Sequence, residues 1–377
     1  MDFDFNQQQL EFQEAFRDFL ARTHTLTQAC AALKDASLRG RLWSGLADLG
    51  AFSMLVPEAQ GGRGLSAVDV ALVAEELGRA LAPASVIDTM LVTDLINRFG
   101  SSEQKRRLLE RIAAGQLRIS LAAGETGGFL PSSVATQATA SGGRWTLSGT
   151  KILAPEADTA GLIAVVCRIG SGSELVIALV EPDRNGVRLR EHATLDLTCP
   201  YHEVHLDRVA ISAGDFLGSA TTTAATGRMF DGAGMFASLQ MMGIAGKMLE
   251  ASVQYAGDRV QFGKPIGSFQ AIKHRCADMA VSTDAGRTSS YYAAWAFAED
   301  AEDRGLAAST AKAFCGDAAR SVCNEAIQIH GGMGFTWELG LHHYLRRAKV
   351  LEYSWGDASF HRERVIATTL AGLGLRA

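Results

Sequence analysis

Cysteine is sparse in this chain and scattered. The six residues, Cys30, Cys167, Cys199, Cys276, Cys315 and Cys323, form no CxxC pair and show no metal-type spacing with histidine, so a metal site is not expected. They read as reduced thiols in a cytosol. Also missing is any uncharged apolar run near the roughly 18 residues that a membrane span needs. There is no excess of basic charge. A net charge of −5 and a pI near 6.0 leave no footprint for nucleic acid. The first residues, Met1-Asp2-Phe3-Asp4-Phe5, are acidic, which argues against a signal or transit peptide. Cytoplasmic location is the expectation.

What is present is enough for two or three domains. A chain of 377 residues with 20% charged side chains can bury a large core. Apolar residues at Leu10, Phe12, Phe16, Phe19 and Leu20 recur at helical spacing, and further helices are expected around Leu38–Leu49, Ala67–Leu77, Leu91–Phe99 and Ser102–Ala114. Ser101 or Ser102 suits the N-cap of the last of these. Near Leu117 the pattern changes. From Ile119 to about Leu217, short β-branched runs such as Trp145–Leu147, Leu162–Val166, Leu175–Val180, Val187–Arg190 and Glu203–Leu206 are broken by Gly, Pro and Asp. Helices then return over Met235–Ala256, Asp278–Glu299, Leu306–Ile329 and Leu351–Leu370. The expected architecture is α+β and multidomain. It comprises an N-terminal helical domain (1–117), a middle antiparallel β-barrel or sandwich (118–219) and a C-terminal four-helix-bundle-like domain (220–377).

Two stretches carry chemistry. In Arg259-Val260-Gln261-Phe262-Gly263-Lys264-Pro265-Ile266-Gly267-Ser268-Phe269-Gln270, Arg259 offers a fork of donors suited to a phosphate oxygen. Phe262 offers a flat face, Gly263 and Gly267 allow close backbone approach, and Gln270 adds an amide. Taken alone, the stretch also reads as a helix–turn–helix with an exposed arginine. The second stretch is Gln328-Ile329-His330-Gly331-Gly332-Met333-Gly334-Phe335.

Together the two resemble the RxxFG and QxxGG motifs of the acyl-CoA dehydrogenase family, and the resemblance runs along almost the whole chain. Val56–Gly64 and Glu75-Glu76-Leu77-Gly78 are similar to the family's N-terminal helical domain, and Trp145–Lys151 to its WxLxGxK hairpin. The resemblance implies α,β-dehydrogenation of an acyl-CoA thioester with FAD as cofactor and electron-transfer flavoprotein as acceptor. Arg259 would neutralise the pyrophosphate, with Phe262 and Gln270 at the adenosine end. Gln328, Gly331 and Gly332 would supply donors to the phosphates. In the family these residues reach a neighbouring subunit's flavin, which implies an oligomer.

The chemistry needs a base near Cα with its pKa raised by a dry pocket. The family carries a glutamate for this in one of two places, and here they read Trp355 and Ala233, with Gly234 where an arginine is often found. The TEPxxGSD segment reads Gly124-Glu125-Thr126-Gly127-Gly128-Phe129-Leu130-Pro131-Ser132, without its Ser–Asp pair. After Lys151, where a ring-stacking Trp and a hydroxyl donor are usual, stand Ile152-Leu153-Ala154-Pro155. Asp357 and Asp231 are the remaining acids nearby. Asp357 reads as the N-cap of the closing helix. Asp231 would face roughly 160–200° away from position 233 on a helix. His330 lies inside the flavin motif, His342 and His343 read as exposed helix positions, and Glu338 as a cap or surface partner.

Three functions are consistent with this pattern. One is a subunit that lacks the usual glutamate and completes a partner's FAD site. The α2β2 acyl-CoA dehydrogenases of bacterial steroid side-chain catabolism are similar, and the Gly-Phe-Thr-Trp-Glu and Trp-Gly-Asp…His-Arg signatures resemble theirs. The second is a self-sufficient homo-oligomer with Asp357 as base. The third is a non-catalytic scaffold of the same fold.

Overall fold

A computed structural model describes residues 5–375; the acidic start that argues against a leader lies, apart from Phe5, outside them. The N-terminal part holds six helices. They are α1 (Gln7–Thr23), α2 (Leu26–Ala32), α3 (Ala36–Asp48), α4 (Ala67–Arg79), α5 (Ala84–Phe99) and α6 (Ser102–Ala113). Their starts are written in the sequence. Asn6, Thr25, Ser66 and Ser101 each close a capping box, which satisfies amide donors that the first helical turn leaves open.

Seven strands follow: β1 (Ile119–Ala122), β2 (Gln137–Ser141), β3 (Arg144–Pro155), β4 (Leu162–Ile169), β5 (Leu175–Val180), β6 (Val187–His192) and β7 (Tyr201–Ile211). They form one sheet in the order β1-β4-β2-β3-β7-β6, with β5 added to β4. The sheet is mixed rather than uniformly antiparallel, because β4 pairs in parallel with both β1 and β2. β1 and β4 read as continuous apolar runs, and both are buried throughout or nearly so.

The C-terminal part begins with α7 (Ala224–Asp258), followed by the two-residue strands β8 (Val260–Gln261) and β9 (Lys264–Pro265). Then come α8 (Gln270–Ala298), α9 (Arg304–His330), α10 (Leu341–Tyr353) and α11 (Ala358–Gly372). The single helix expected over Leu351–Leu370 is therefore two helices. Trp355 and Gly356 take positive φ (65° and 96°) and break it. α7 crosses α4 at backbone contact. A Cβ on Gly243 would stand 1.9 Å from the Glu75 carbonyl oxygen, and one on Gly78 would stand 2.2 Å from that of Gln240.

One arginine joins the three parts. Arg347 on α10 is buried; it pairs with Asp196 in the β6–β7 loop, and donates to the Ala82 carbonyl (2.7 Å) and to Thr198 Oγ1 (2.8 Å).

Candidate functional site

The first of the two motifs is a hairpin. Val260 pairs with Pro265 and Gln261 with Lys264, so Phe262 and Gly263 are its two central residues. Their φ values of 54° and 78° are those of a primed turn, whose twist matches the flanking strands. For a phenylalanine that backbone is costly, and the ring it presents is 91% exposed. Arg259 accepts a backbone hydrogen bond from Ile266 (2.8 Å). Its guanidinium is exposed and, among the described residues, has no ion-pair partner.

The second motif lies beside it. Tyr255, one turn before Arg259, stacks on His330 at 4.3 Å between centroids, which brings the end of α7 against the end of α9. Gln328, Gly331 and Gly332 are exposed, and a Cβ on either glycine would meet nothing within 4 Å. Gly331 ends α9 at φ 59°, ψ −134°, a region that only glycine adopts readily. Gln270 is exposed at the start of α8. All six residues therefore face outward from this chain, with the amides and one free cation that a diphosphate ligand requires.

A separate cavity collects the residues at the two base positions. Ala233 from α7 and Trp355 from the α10–α11 loop line it, together with Leu153 and Pro155 of β3, Phe129, Asp88, Leu91 and Gln240. Its volume is about 50 Å³, room for a few waters and no more. The Trp355 indole forms part of its wall, lying against Phe129 with centroids 5.0 Å apart. The loop is held in that pose. Lys312 Nζ donates to the carbonyls of Glu352 and Gly356 (2.8 Å each), and His361 Nε2 donates to that of Trp355 (2.9 Å). Burial pushes the Lys312 ammonium down to about 8 and the His361 imidazole down to about 4.

The sequence-level acids resolve differently. Asp357 is the N-cap of α11, its Oδ1 accepting from the Phe360 N–H at 2.9 Å, and it does not line the cavity. Asp231 is held between Arg304 (3.1 Å) and Arg364 (2.7 Å). His343, read as exposed, is instead buried against Cys30, with Sγ···Nε2 3.6 Å, and His342 is half-buried beside Trp337. That reading failed because α2 covers this face of α10, and a helix so short carries almost no periodic signal. Glu338 is exposed, as read.

Asp88 was not anticipated. It is the one carboxyl lining the cavity, it is 8% exposed, and its Oδ2 accepts from the Leu121 N–H at 2.8 Å. The signal was a lone acid inside the apolar run Ser85–Val92, ahead of the helix expected from Leu91; α5 begins earlier, at Ala84. Burial pushes its carboxyl up to about 8, against the Leu121 amide, which lowers it.

Comparison with known proteins decides the family. The acyl-CoA dehydrogenase N-terminal domain model matches residues 6–116 and the C-terminal domain model residues 223–370. Benzylmalonyl-CoA dehydrogenase of Aromatoleum aromaticum is 32% identical over 362 residues, covering 92% of this chain and 93% of that one. This chain belongs to the acyl-CoA dehydrogenase family. Butyryl-CoA dehydrogenase of Megasphaera elsdenii superposes with a TM-score of 0.90 at 25% identity, over 98% of this chain and all of that one. A chain of the ChsE4–ChsE5 complex from Mycobacterium tuberculosis gives 0.87 at 26% identity, over 98% and 99%.

FAD is the cofactor of the acyl-CoA dehydrogenase family, and the two regions of this chain differ in their fit to it. The Arg259–Gly332 surface has the open space, the free cation and the backbone donors for its diphosphate and adenosine. The cavity at Ala233 and Trp355 does not fit the flavin ring. Among the described residues no helix is long and apolar enough to cross a membrane.

Asp88 makes a prediction about pH. Its carboxyl holds a proton more tightly folded than unfolded, so the folded state binds more protons between about pH 4 and pH 8. Stability from this group therefore falls as pH rises through that window. Asp88→Asn keeps an acceptor for Leu121 and removes the charge. Its melting temperature relative to wild type is expected to climb from pH 5 to pH 8. A difference that is flat with pH would mean Asp88 is ionised without cost.

Proposed function

We propose that this acyl-CoA dehydrogenase family chain acts as the subunit that lacks the usual catalytic glutamate and completes a partner chain's FAD site. The observation that carries the reading is Trp355, which occupies one base position and walls a small cavity shared with the other, Ala233. When bound, FAD supplies the two-electron oxidation of an acyl-CoA thioester. In this assignment Arg259 neutralises the diphosphate. Phe262 and Gln270 border the adenosine, and the Gln328–Gly332 turn gives backbone donors. All six project away from this chain's own cavity, so the cofactor they hold lies between chains.

The finer assignments belong to the same proposal. The domain boundaries are 117/118 and 219/220, assembly runs through the C-terminal helices, and the location is cytoplasmic. The acyl group is drawn from steroid side-chain thioesters, and the electrons pass to electron-transfer flavoprotein. That a ChsE4–ChsE5 complex has a chain of this fold supports a hetero-oligomer. The self-sufficient alternative loses its base, since Asp357 spends its carboxylate capping α11. The scaffold alternative leaves the free Arg259 and the strained Phe262 turn without a use.

The test is flavin retention. Arg259→Ala in the assembled protein removes a charge-assisted contact, and FAD affinity is expected to fall by about one to two decades. Flavin absorbance after serial dilution reads the loss. Unchanged occupancy would reduce the motif to a helix terminus, and a stable monomer in sedimentation would remove the reason for reading these residues as ligands.

A further inference from the structure

The chain has a second, larger cavity that neither the flavin surface nor the Trp355 cavity uses. It measures about 610 Å³ and lies where α1, α4 and α7 meet the start of α10. That is the size range of small-molecule pockets. Part of its wall is apolar, made of Leu20, Leu26, Ala80, Ala251, Leu339 and Leu341. Polar and charged side chains, among them Arg17, Glu76, Arg79, Lys247, His24 and Tyr344, set the rest.

Two of these are already satisfied. Arg17 donates to both Glu76 carboxylate oxygens (2.7 and 3.0 Å), and Arg79 is paired with Glu250. The other cation is not. Lys247 is half-buried on α7 and, among the described residues, its Nζ has no hydrogen-bond or ion-pair partner. Burial and then the Arg79 charge push its ammonium below the ordinary lysine range, a strain that a bound anion would relieve. Tyr344 is largely buried, but its hydroxyl is accessible and, among the described residues, has no hydrogen-bond partner. His24 is 4% exposed, and its Nε2 has no partner either. Buried polar groups are nearly always hydrogen-bonded, so the buried, unpaired His24 Nε2 needs an explanation, and Lys247 and Tyr344 add two unpaired groups at the cavity surface.

We propose that this cavity is a binding site for an aliphatic carboxylate, with Lys247 and Tyr344 holding the head group and the leucine wall taking the chain. The favoured occupant has an apolar body because the wall is apolar. It has a single charge because, among the described residues, Lys247 is the one lining lysine or arginine with no carboxylate within ion-pair distance.

Octanoate is the probe, titrated calorimetrically into the assembled protein. Wild type is expected to bind it. Lys247→Gln should weaken binding about ten- to a hundred-fold, as loss of a charge-assisted contact does. Lys247→Arg should retain most of the affinity, and Tyr344→Phe should lose about ten-fold. Ala251→Phe leaves every charge in place and fills the cavity, and should abolish binding while the melting temperature stays near wild type. Absence of octanoate binding to wild type would overturn the proposal. So would equal affinity in Lys247→Gln and Ala251→Phe. Inorganic phosphate competing as well as octanoate would show an anion site without an apolar subsite, and would overturn the assignment of the chain. None of the six flavin residues lines this cavity, so Arg259→Ala should bind octanoate normally. Failure of the subunit reading and failure of this one are thus separable.

Discussion

Purified without a partner, this chain is expected to turn over saturated acyl-CoA thioesters about 10²–10⁴-fold more slowly than a glutamate-bearing relative, the contribution of a positioned general base. Neither an indole at 355 nor a methyl group at 233 can accept the α-proton. The structure adds a second barrier. The Trp355–Phe129 contact closes the volume into which the ring and the acyl group would have to fit. Ala233→Glu alone is therefore expected to leave the rate low, because the carboxylate would enter a cavity of only about 50 Å³. Ala233→Glu with Trp355→Gly is the informative pair, since it supplies a base and enlarges the cavity together. Two acids serve as controls. Asp357→Asn should not change turnover, as asparagine also caps a helix. Asp88→Asn tests the one carboxyl that does line the cavity. If the wild-type homo-oligomer turns over well and either substitution abolishes turnover without loss of fold or flavin, the subunit assignment is wrong and that residue is the base.

The helical, β, helical order was legible because each part has its own period, and Ser101, one of the two caps offered for α6, is the one that closes a capping box. The six flavin residues were legible because they sit in two short local motifs. What escaped reading was non-local. Parallel pairing of β4 with β1 and β2 depends on chain reversals that leave no local mark. The Asp357 cap was read correctly, but the pose of the loop before it was not, since its tryptophan at positive φ is held through Lys312 and His361, residues distant in sequence or on the next helix. Asp88 lay ahead of the helix expected over Leu91–Phe99, which in fact starts at Ala84, and nothing local shows which face meets a cavity. Burial of His343 depends on α2, three hundred residues away.

Arg347→Met should be the most destabilising of the substitutions considered, by about 3–5 kcal/mol, the cost of removing one partner from a buried ion pair. The side chains of Arg347 and Asp196 are 1% and 0% exposed, so the aspartate left behind could not be rescued by water. The effect reaches beyond the pair. Arg347 also donates to Ala82 of the helical N-terminal part and to Thr198 of the β part, so three packed units lose a shared clamp. Burial opposes its charge, but Asp196 outweighs that and raises the guanidinium above its ordinary range, so the arginine stays charged at every accessible pH. Urea denaturation followed by tryptophan fluorescence measures the loss. The double variant Arg347→Met, Asp196→Leu separates the pair from the clamp. Removing both charges with apolar groups of similar size can be nearly neutral, so any instability that remains belongs to the lost contacts with Ala82 and Thr198. A single variant as stable as wild type would mean that the three parts are held together by packing alone.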